Sequence, residues 1–384
     1  MSVRIGLDAT PLLGPRTGVG YYTSRLLAAM LAADPEWRYL LYSNRSLEPL
    51  EPALARATPV YSRLSGRRMV WMQCLLPPVI RSSRAQLCHF PNAMAPLWQQ
   101  QPFVLTIHDA SLFLYAHTHP LARLVSIRLI LPLLARRAAA IITVSHHARN
   151  DLLRILHLPP EKVHVIYEAA PEEFRPVNDP AILNGVRQKY GLPPQFLLYV
   201  GTLEPRKNLR RLLRALHEIR RRGYPHKLVM VGPPGWHLHH FYEEIERLSL
   251  QDRVSFTGYV PAADLPALYS LASLFVFPSL YEGFGLPPLE AMACGAPVLA
   301  SNRTSLPEIC GDAAHLVDPE DEAALVNAML SLLSDDERRR ELSRRGPVRA
   351  RLFSWKQAAQ ETMTVYCRVL NGSGGHATDS NRRR

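Results

Sequence analysis

Cysteine is scarce in this sequence, five residues in 384. Cys74, Cys88, Cys294, Cys310 and Cys367 lie far apart and lack metal-ligand spacing, which excludes a disulfide scaffold and predicts free thiols in a reducing compartment. No uninterrupted apolar run reaches the roughly 20 residues of a membrane-spanning helix, and the opening MSVRIGLDAT is too short in apolar residues for a signal peptide. A cytoplasmic location is therefore expected. Acidic residues are outnumbered, 33 against 45 basic ones, for a formal charge of +12. Such an excess suits nucleic acid, an anionic membrane surface or a phosphorylated substrate. No basic and aromatic stacking platform stands out, so nucleic acid is set aside. Solenoid repeats are missing too. What remains is a folded composition, 47% hydrophobic and 20% charged, on a chain long enough for two domains.

Short apolar runs alternate with helical patterns along most of the chain. Val3–Leu7, Arg38–Ser43, Gln86–Phe90, Phe103–Ile107, Ala140–Val144 and Val163–Ile166 read as strands of a mainly parallel sheet. The segment PLLGPRTGVG places Gly18 and Gly20 in a turn ahead of a helix predicted from Tyr21 to Ala33, although the strict dinucleotide fingerprint is lacking. Phe103–Ile107 delivers His108 and Asp109 to its carboxyl end, where open parallel sheets bind ligands. A second α/β half begins at Phe196. The expected boundaries are 1–180 and 181–352 for two domains, 353–370 for a final helix, and 371–384 for a disordered tail rich in Gly, Ser and Asn.

Three stretches bear on chemistry. In SLYEGFGLPPLEAMACGAP, residues 279–297, Glu282, Gly283 and Gly285 form a turn ahead of a helix that carries Glu290. Such a turn aims N–H groups and a positive helix end at an anion, while carboxylates accept from hydroxyls. Arg206 and Lys207, just past the strand Phe196–Val200, suit a diphosphate whose charge grows as its bond to a sugar breaks. Two acids eight positions apart also fit a hydrolytic pair, but the glycines and helix start favour phosphate binding beside them. Residues 120–140, with Arg123, Arg128, Arg136 and Arg137 among Leu and Ile, read either as a helix packed on the sheet or as one that docks on anionic lipid. No metal ligand set is evident, because the clusters His237, His239, His240 and His146, His147 lack acidic partners at coordinating spacing.

GTLEPRKN at 201–208 and YEGFGLPPLEAMACGAPV at 281–298, in that order and separated by strand and helix units, resemble the retaining glycosyltransferases of family four. The likeness runs from Val3 to about Leu370. It implies the GT-B architecture: α/β, two Rossmann-like domains with parallel sheets facing across a cleft, and a C-terminal helix crossing back to the first. It implies a nucleotide-sugar donor on the second domain and an acceptor on the first. Arg206 and Lys207 would meet the donor diphosphate, Glu282 and the backbone of Gly283, Phe284, Gly285 and Leu286 the sugar and phosphate, and Glu290 the ribose. Gly258, Tyr259 and Val260 would read the base through their backbone. Gly18 and Gly20 would lie near the phosphates and His108 would touch the sugar. The N-terminal half is similar to bacterial mannosyltransferases that use GDP-mannose in polysaccharide assembly. Users of UDP- and dTDP-sugars share nearly the same motifs. A saccharide or lipid-linked acceptor follows, with neither metal nor cofactor expected and with peripheral contact to the inner membrane face through residues 120–140. A sugar-nucleotide epimerase and a non-catalytic sugar-nucleotide-binding protein are the rival readings.

Overall fold

A computed structural model describes residues 2–14, 18–47, 49–61, 68–116 and 121–375, without the side chains of 121–126 and 373–375. The chain forms two compact units. The first takes its described residues from Met1–Ala110, Val125–Glu168 and Ser354–Arg384, and the second from Ser111–Leu124 and Ala169–Phe353.

The first unit is built on seven strands: β1 (Arg4–Asp8), β2 (Arg38–Ser43), β3 (Thr58–Tyr61), β4 (Leu87–Phe90), β5 (Phe103–Thr106), β6 (Ala140–Thr143) and β7 (Val163–Val165). Their order is β3-β2-β1-β4-β5-β6-β7, with every pairing parallel. β4, β5 and β6 are buried at every residue. Helices cover both faces of such a sheet, so its strands are runs of Leu, Ile, Val and Phe without polar alternation. Winding reverses between β1 and β4.

The second unit repeats the plan with β8 (Phe196–Val200), β9 (Lys227–Val231), β10 (Val254–Gly258), β11 (Leu274–Phe277), β12 (Val298–Ser301) and β13 (His315–Val317). The order is β10-β9-β8-β11-β12-β13, again parallel, with the reversal between β8 and β11. At such a reversal the loops leave in opposite directions and open a crevice beyond the strands' carboxyl ends. Helix Leu209–Arg221 shows why the layers hold: Leu209, Leu212, Leu213, Leu216 and Ile219 recur at helical spacing and are buried, while its arginines stay on the other side. GT-B is the class to which two such Rossmann-like parallel-sheet units correspond.

Several elements differ from the sequence reading. The helix expected from Tyr21 begins at Gly18, so Gly18 and Gly20 sit within its first turn, not in a turn before it. Residues 15–17 of that segment lie outside the described residues. β3 escapes a pattern reading because Pro59 interrupts it, which an edge strand tolerates. Helix Asp336–Ala350 has no apolar stripe; it buries Leu342, Gly346 and Ala350, and a Cβ at Gly346 would stand 2.8 Å from the Met292 carbonyl oxygen. The final helix runs Trp355–Gly375, so Asn371–Gly375, expected in the tail, is helical; 376–384 lie outside the described residues.

Candidate active site

The loops after β8 and β11, the two strands that flank the reversal in the second unit, meet in one buried ionic cluster. Pro205–Lys207 is a single 3-10 turn that ends at Asn208, whose left-handed backbone (φ 60°) redirects the chain into helix Leu209–Arg221. The Asn208 side chain donates to the Pro319 carbonyl at 2.7 Å and pins that bend. Across from it, Leu280 N–H donates to the Arg206 carbonyl at 2.9 Å, and Ser279 Oγ lies 3.3 Å from the same oxygen. Residues 279 and 280 are thereby fastened to the main chain of the Arg206 turn.

Both oxygens of Glu282 face cations. Lys207 Nζ donates to Oε1 at 2.6 Å and Arg206 donates to Oε2 at 3.3 Å. Arg206 also reaches Glu204 Oε1 at 2.6 Å and the Tyr281 carbonyl. Lys207, Glu204 and Glu282 are all buried, and Lys207 Nζ sits 5.1 Å from the centre of the Phe277 ring. Burial pushes the Glu282 carboxyl up, but Lys207 and Arg206 outweigh it and hold the group below its ordinary value. The cluster therefore carries two positive and two negative groups, already in place. A guanidinium has five N–H donors and an ammonium three, so cations of these kinds can engage an anion as well as a carboxylate.

Beyond Glu282 the chain turns sharply into helix Leu286–Ala293. Gly285 has φ 114°, and a Cβ there would come within 2.7 Å of Leu306 Cδ2. Pro287 and Pro288 carry no N–H, so the donors at this helix start are confined to Leu286 and the turn before it. The turn after β12 buttresses this loop: Glu282 N–H donates to Thr304 Oγ1 at 3.1 Å, and Ser305 Oγ lies 2.6 Å from the Phe284 carbonyl oxygen and 3.1 Å from that of Glu282. Glu290, on the helix, accepts from the Tyr269 hydroxyl at 3.0 Å. Gly258, Tyr259 and Val260 follow β10 in the same unit. Gly258 adopts φ 67°, its carbonyl accepts from Gly232 N–H at 2.9 Å, Tyr259 is exposed and Val260 is buried.

In the first unit, His108 stands beyond the end of β5 with both ring nitrogens engaged. Nδ1 lies 3.0 Å from Glu168 Oε1, and Nε2 lies 2.9 Å from the Pro91 carbonyl oxygen. Both partners are acceptors, an arrangement that favours the doubly protonated ring. Burial pulls the His108 pKa down, but the Glu168 carboxylate and the Pro91 carbonyl overcome it and the net direction is upward. Tyr22, from helix Gly18–Ala33, meets the ring edge-on at 4.6 Å between centroids. Among the predicted residues, then, the structure joins Arg206, Lys207 and Glu282 directly, seats Gly283–Leu286 behind them, and sets Gly18, Gly20 and His108 in the other unit.

Sequence reasoning did not pick out Glu168, Tyr22, Thr304, Ser305 or Tyr269. Glu168 is one acid in the loop YEAAPEEF, and nothing in its neighbours signals a partner 60 positions upstream. The cysteines are free thiols, with Cys88, Cys294 and Cys310 buried. Among the described residues, no group of three or more His, Cys, Asp or Glu is arranged to hold a metal ion.

Comparison with known proteins now bears on this geometry. Residues 16–174 match the family Glycosyltransferase Family 4, and residues 186–349 match Glycosyl transferases group 1. O-antigen chain mannosyltransferase B of Escherichia coli is 35% identical over 389 residues, covering 95% of this chain and 99% of that protein. The serotype-specific mannosyltransferase WbdA of Escherichia coli is 37% identical over 250 residues, 62% of this chain and 30% of that protein. Sucrose-phosphate synthase from Thermosynechococcus elongatus has a similar fold at a TM-score of 0.77 and 23% identity, covering 96% of this chain and 100% of that one. WaaG, a glycosyltransferase involved in lipopolysaccharide biosynthesis, gives 0.73 at 17% identity over 94% and 98% of the two chains.

Proposed function

Because the chain belongs to glycosyltransferase family 4, we propose that it transfers a mannosyl group from GDP-mannose, with retention of configuration, to a saccharide or lipid-linked saccharide acceptor of a cell-surface polysaccharide. Glycosyl transfer is the coarser statement and follows from the family. The choice of mannose leans on relatives named as O-antigen chain mannosyltransferases and as a serotype-specific mannosyltransferase. The observation that carries the reading is the cluster of Arg206, Lys207 and Glu282, fixed at the winding reversal of the second unit beside the helix start at Leu286.

In this reading the donor diphosphate is met by Arg206, Lys207 and the N–H groups around Leu286. As the bond from the anomeric carbon to the phosphate oxygen breaks, negative charge grows on the leaving group, and cations set in advance lower that barrier without rearranging. The acceptor hydroxyl attacks from the same face and its proton passes to the leaving phosphate. Glu282 has two jobs: its oxygens hold the two cations apart at fixed positions, and their remaining lone pairs accept from donor hydroxyls. Glu290 takes the ribose hydroxyls. Positioning and charge, more than a protein nucleophile, supply the catalysis. No metal ion is needed in this scheme.

A surface observation supports a membrane-bound acceptor. Helix Leu121–Arg137 buries Leu131, Leu134 and Ala135 yet exposes Leu129 (68%) and Leu133 (51%), flanked by exposed Arg128, Arg136 and Arg137. Trp98, 78% exposed, lies beside Arg137 with the guanidinium 5.8 Å from its ring. Apolar side chains, an aromatic and arginines on one exposed face match an anionic lipid interface. Arg123 lies outside the described side chains. A thermal-shift screen of GDP-, UDP- and dTDP-sugars tests the donor: stabilisation by GDP-mannose above the others is expected, and stabilisation by a uridine or thymidine donor alone would replace it.

A further inference from the structure

Four buried polar side chains from four separate elements form one hydrogen-bonded line through the core of the first unit. The Tyr366 hydroxyl, on the final helix, lies 2.5 Å from His89 Nδ1 on β4. His89 Nε2 lies 2.7 Å from Thr106 Oγ1 on β5, and that oxygen lies 3.2 Å from the Tyr22 hydroxyl on helix Gly18–Ala33. None of the four is more than 2% exposed. Tyr22 then meets His108 edge-on, and Trp355, at the start of the final helix, contacts Tyr22 at 6.0 Å between ring centres. Apolar side chains of the same size would fill this core without the cost of dehydrating three hydroxyls and an imidazole. What a fully partnered polar line adds is a single allowed arrangement.

We infer that His89 and Tyr366 are positioning residues that act through Thr106 and Tyr22 to set the ring of His108 and the helix start that carries Gly18 and Gly20. This rests on the transferase reading above, joined to the family resemblance, which implies that Gly18 and Gly20 lie near the donor phosphates and that His108 touches the sugar. Burial, with the nearby charge of His108 adding to it, pulls the His89 pKa down to about 3, so the ring is neutral at ordinary pH. A neutral imidazole donates at one nitrogen and accepts at the other. The line therefore runs in one sense, from Tyr366 to Tyr22 or the reverse, and in either sense loss of the Tyr366 hydroxyl leaves a buried nitrogen without its partner. The final helix is on this account more than a brace, because it sets geometry at the opposite end of the line.

The test uses the full chain with Tyr366→Phe, His89→Leu and His89→Gln. Tyr366→Phe keeps the ring that stacks on Trp37 at 6.3 Å, so its fold should survive. Each variant is assayed for transfer from GDP-mannose, and the His108 ring is titrated by nitrogen NMR. Tyr366→Phe and His89→Leu should lower kcat about tenfold or more, on the scale of a misplaced reacting group. KM for the donor should change by a smaller factor than kcat, since the cations of the second unit are untouched. The His108 midpoint should move in both variants, and His89→Gln, whose amide can replace the nitrogen facing Thr106, should regain much of the rate. An unchanged His108 titration in folded Tyr366→Phe overturns the inference, as does a rate loss that merely tracks the folded fraction. If the wild type transfers no sugar from any nucleotide donor, the transferase reading fails, and the titration alone then decides the positioning role.

Discussion

Lys207 Nζ and Glu282 Oε1 are 2.6 Å apart, 75 positions apart in sequence, and both side chains are buried. That contact is one of several that tie the loop after β8 to the loop after β11, and on the proposed reading it holds a cation for the donor phosphate. Removing Glu282 takes from the buried Lys207 the carboxylate that holds it, and removing Lys207 leaves Glu282 with Arg206, at 3.3 Å, as its remaining cation. Lys207→Ala or Glu282→Ala should cut transfer at least ~100-fold and cost about 3 kcal/mol of stability. The double variant Lys207→Met with Glu282→Leu separates the two effects: most of the stability should return while transfer stays lost. Chemical denaturation and a transfer assay on the same samples check this, and recovery of activity in the double variant would remove the pair from the reaction. The pair is also acid-sensitive. Glu282 titrates below its ordinary value in the folded chain, so its contribution is present above about pH 4.3, the unfolded value, and is lost as pH falls through the folded one.

His108 carries the opposite sign. Its folded pKa is raised by Glu168 and the Pro91 carbonyl against the pull of burial. Stabilisation from this contact is thus fully present below about pH 6.5, the free value, and disappears as pH rises through the folded value. The melting-temperature gap between the wild type and His108→Gln should be widest at mildly acidic pH and should narrow on going alkaline. A gap independent of pH between about 6 and 9, the range around the free value, would mean that the ring is not charged in its contact with Glu168.

The exposed leucines predict behaviour at a lipid surface. Vesicles with anionic lipid should retain the protein, and Trp98→Ala, Leu129→Ser or Leu133→Ser should weaken retention without changing the melting temperature, since these side chains are exposed. Arg136→Gln with Arg137→Gln should weaken it most at low salt, because exposed charges are screened as ionic strength rises. Equal sedimentation with neutral and anionic vesicles would rule out a role for the arginines.

Much of this fold was legible from the sequence because central parallel strands such as Leu274–Phe277 are unbroken apolar runs, and helix Leu209–Arg221 shows its buried stripe openly. The candidate cluster of the second unit was legible for a related reason: Arg206, Lys207 and Glu282 sit in local turn motifs that glycine and proline punctuate. What the motifs did not convey is that Glu282 spends both oxygens on the cations, a fact of tertiary contact. Helix Asp336–Ala350 was illegible because it packs through a glycine against backbone, leaving no apolar stripe to read. Glu168 lies 60 positions from His108, Tyr22 lies 84 from Thr106 and Tyr366 lies 277 from His89, separations that no local pattern encodes.

The central claim is met most directly by the product of one reaction. GDP-mannose, purified protein and a mannose-terminated acceptor should yield a glycoside whose anomeric carbon, read from its carbon–hydrogen coupling by NMR, keeps the α configuration of the donor. A β-linked product, or turnover confined to uridine or thymidine donors, would contradict the account.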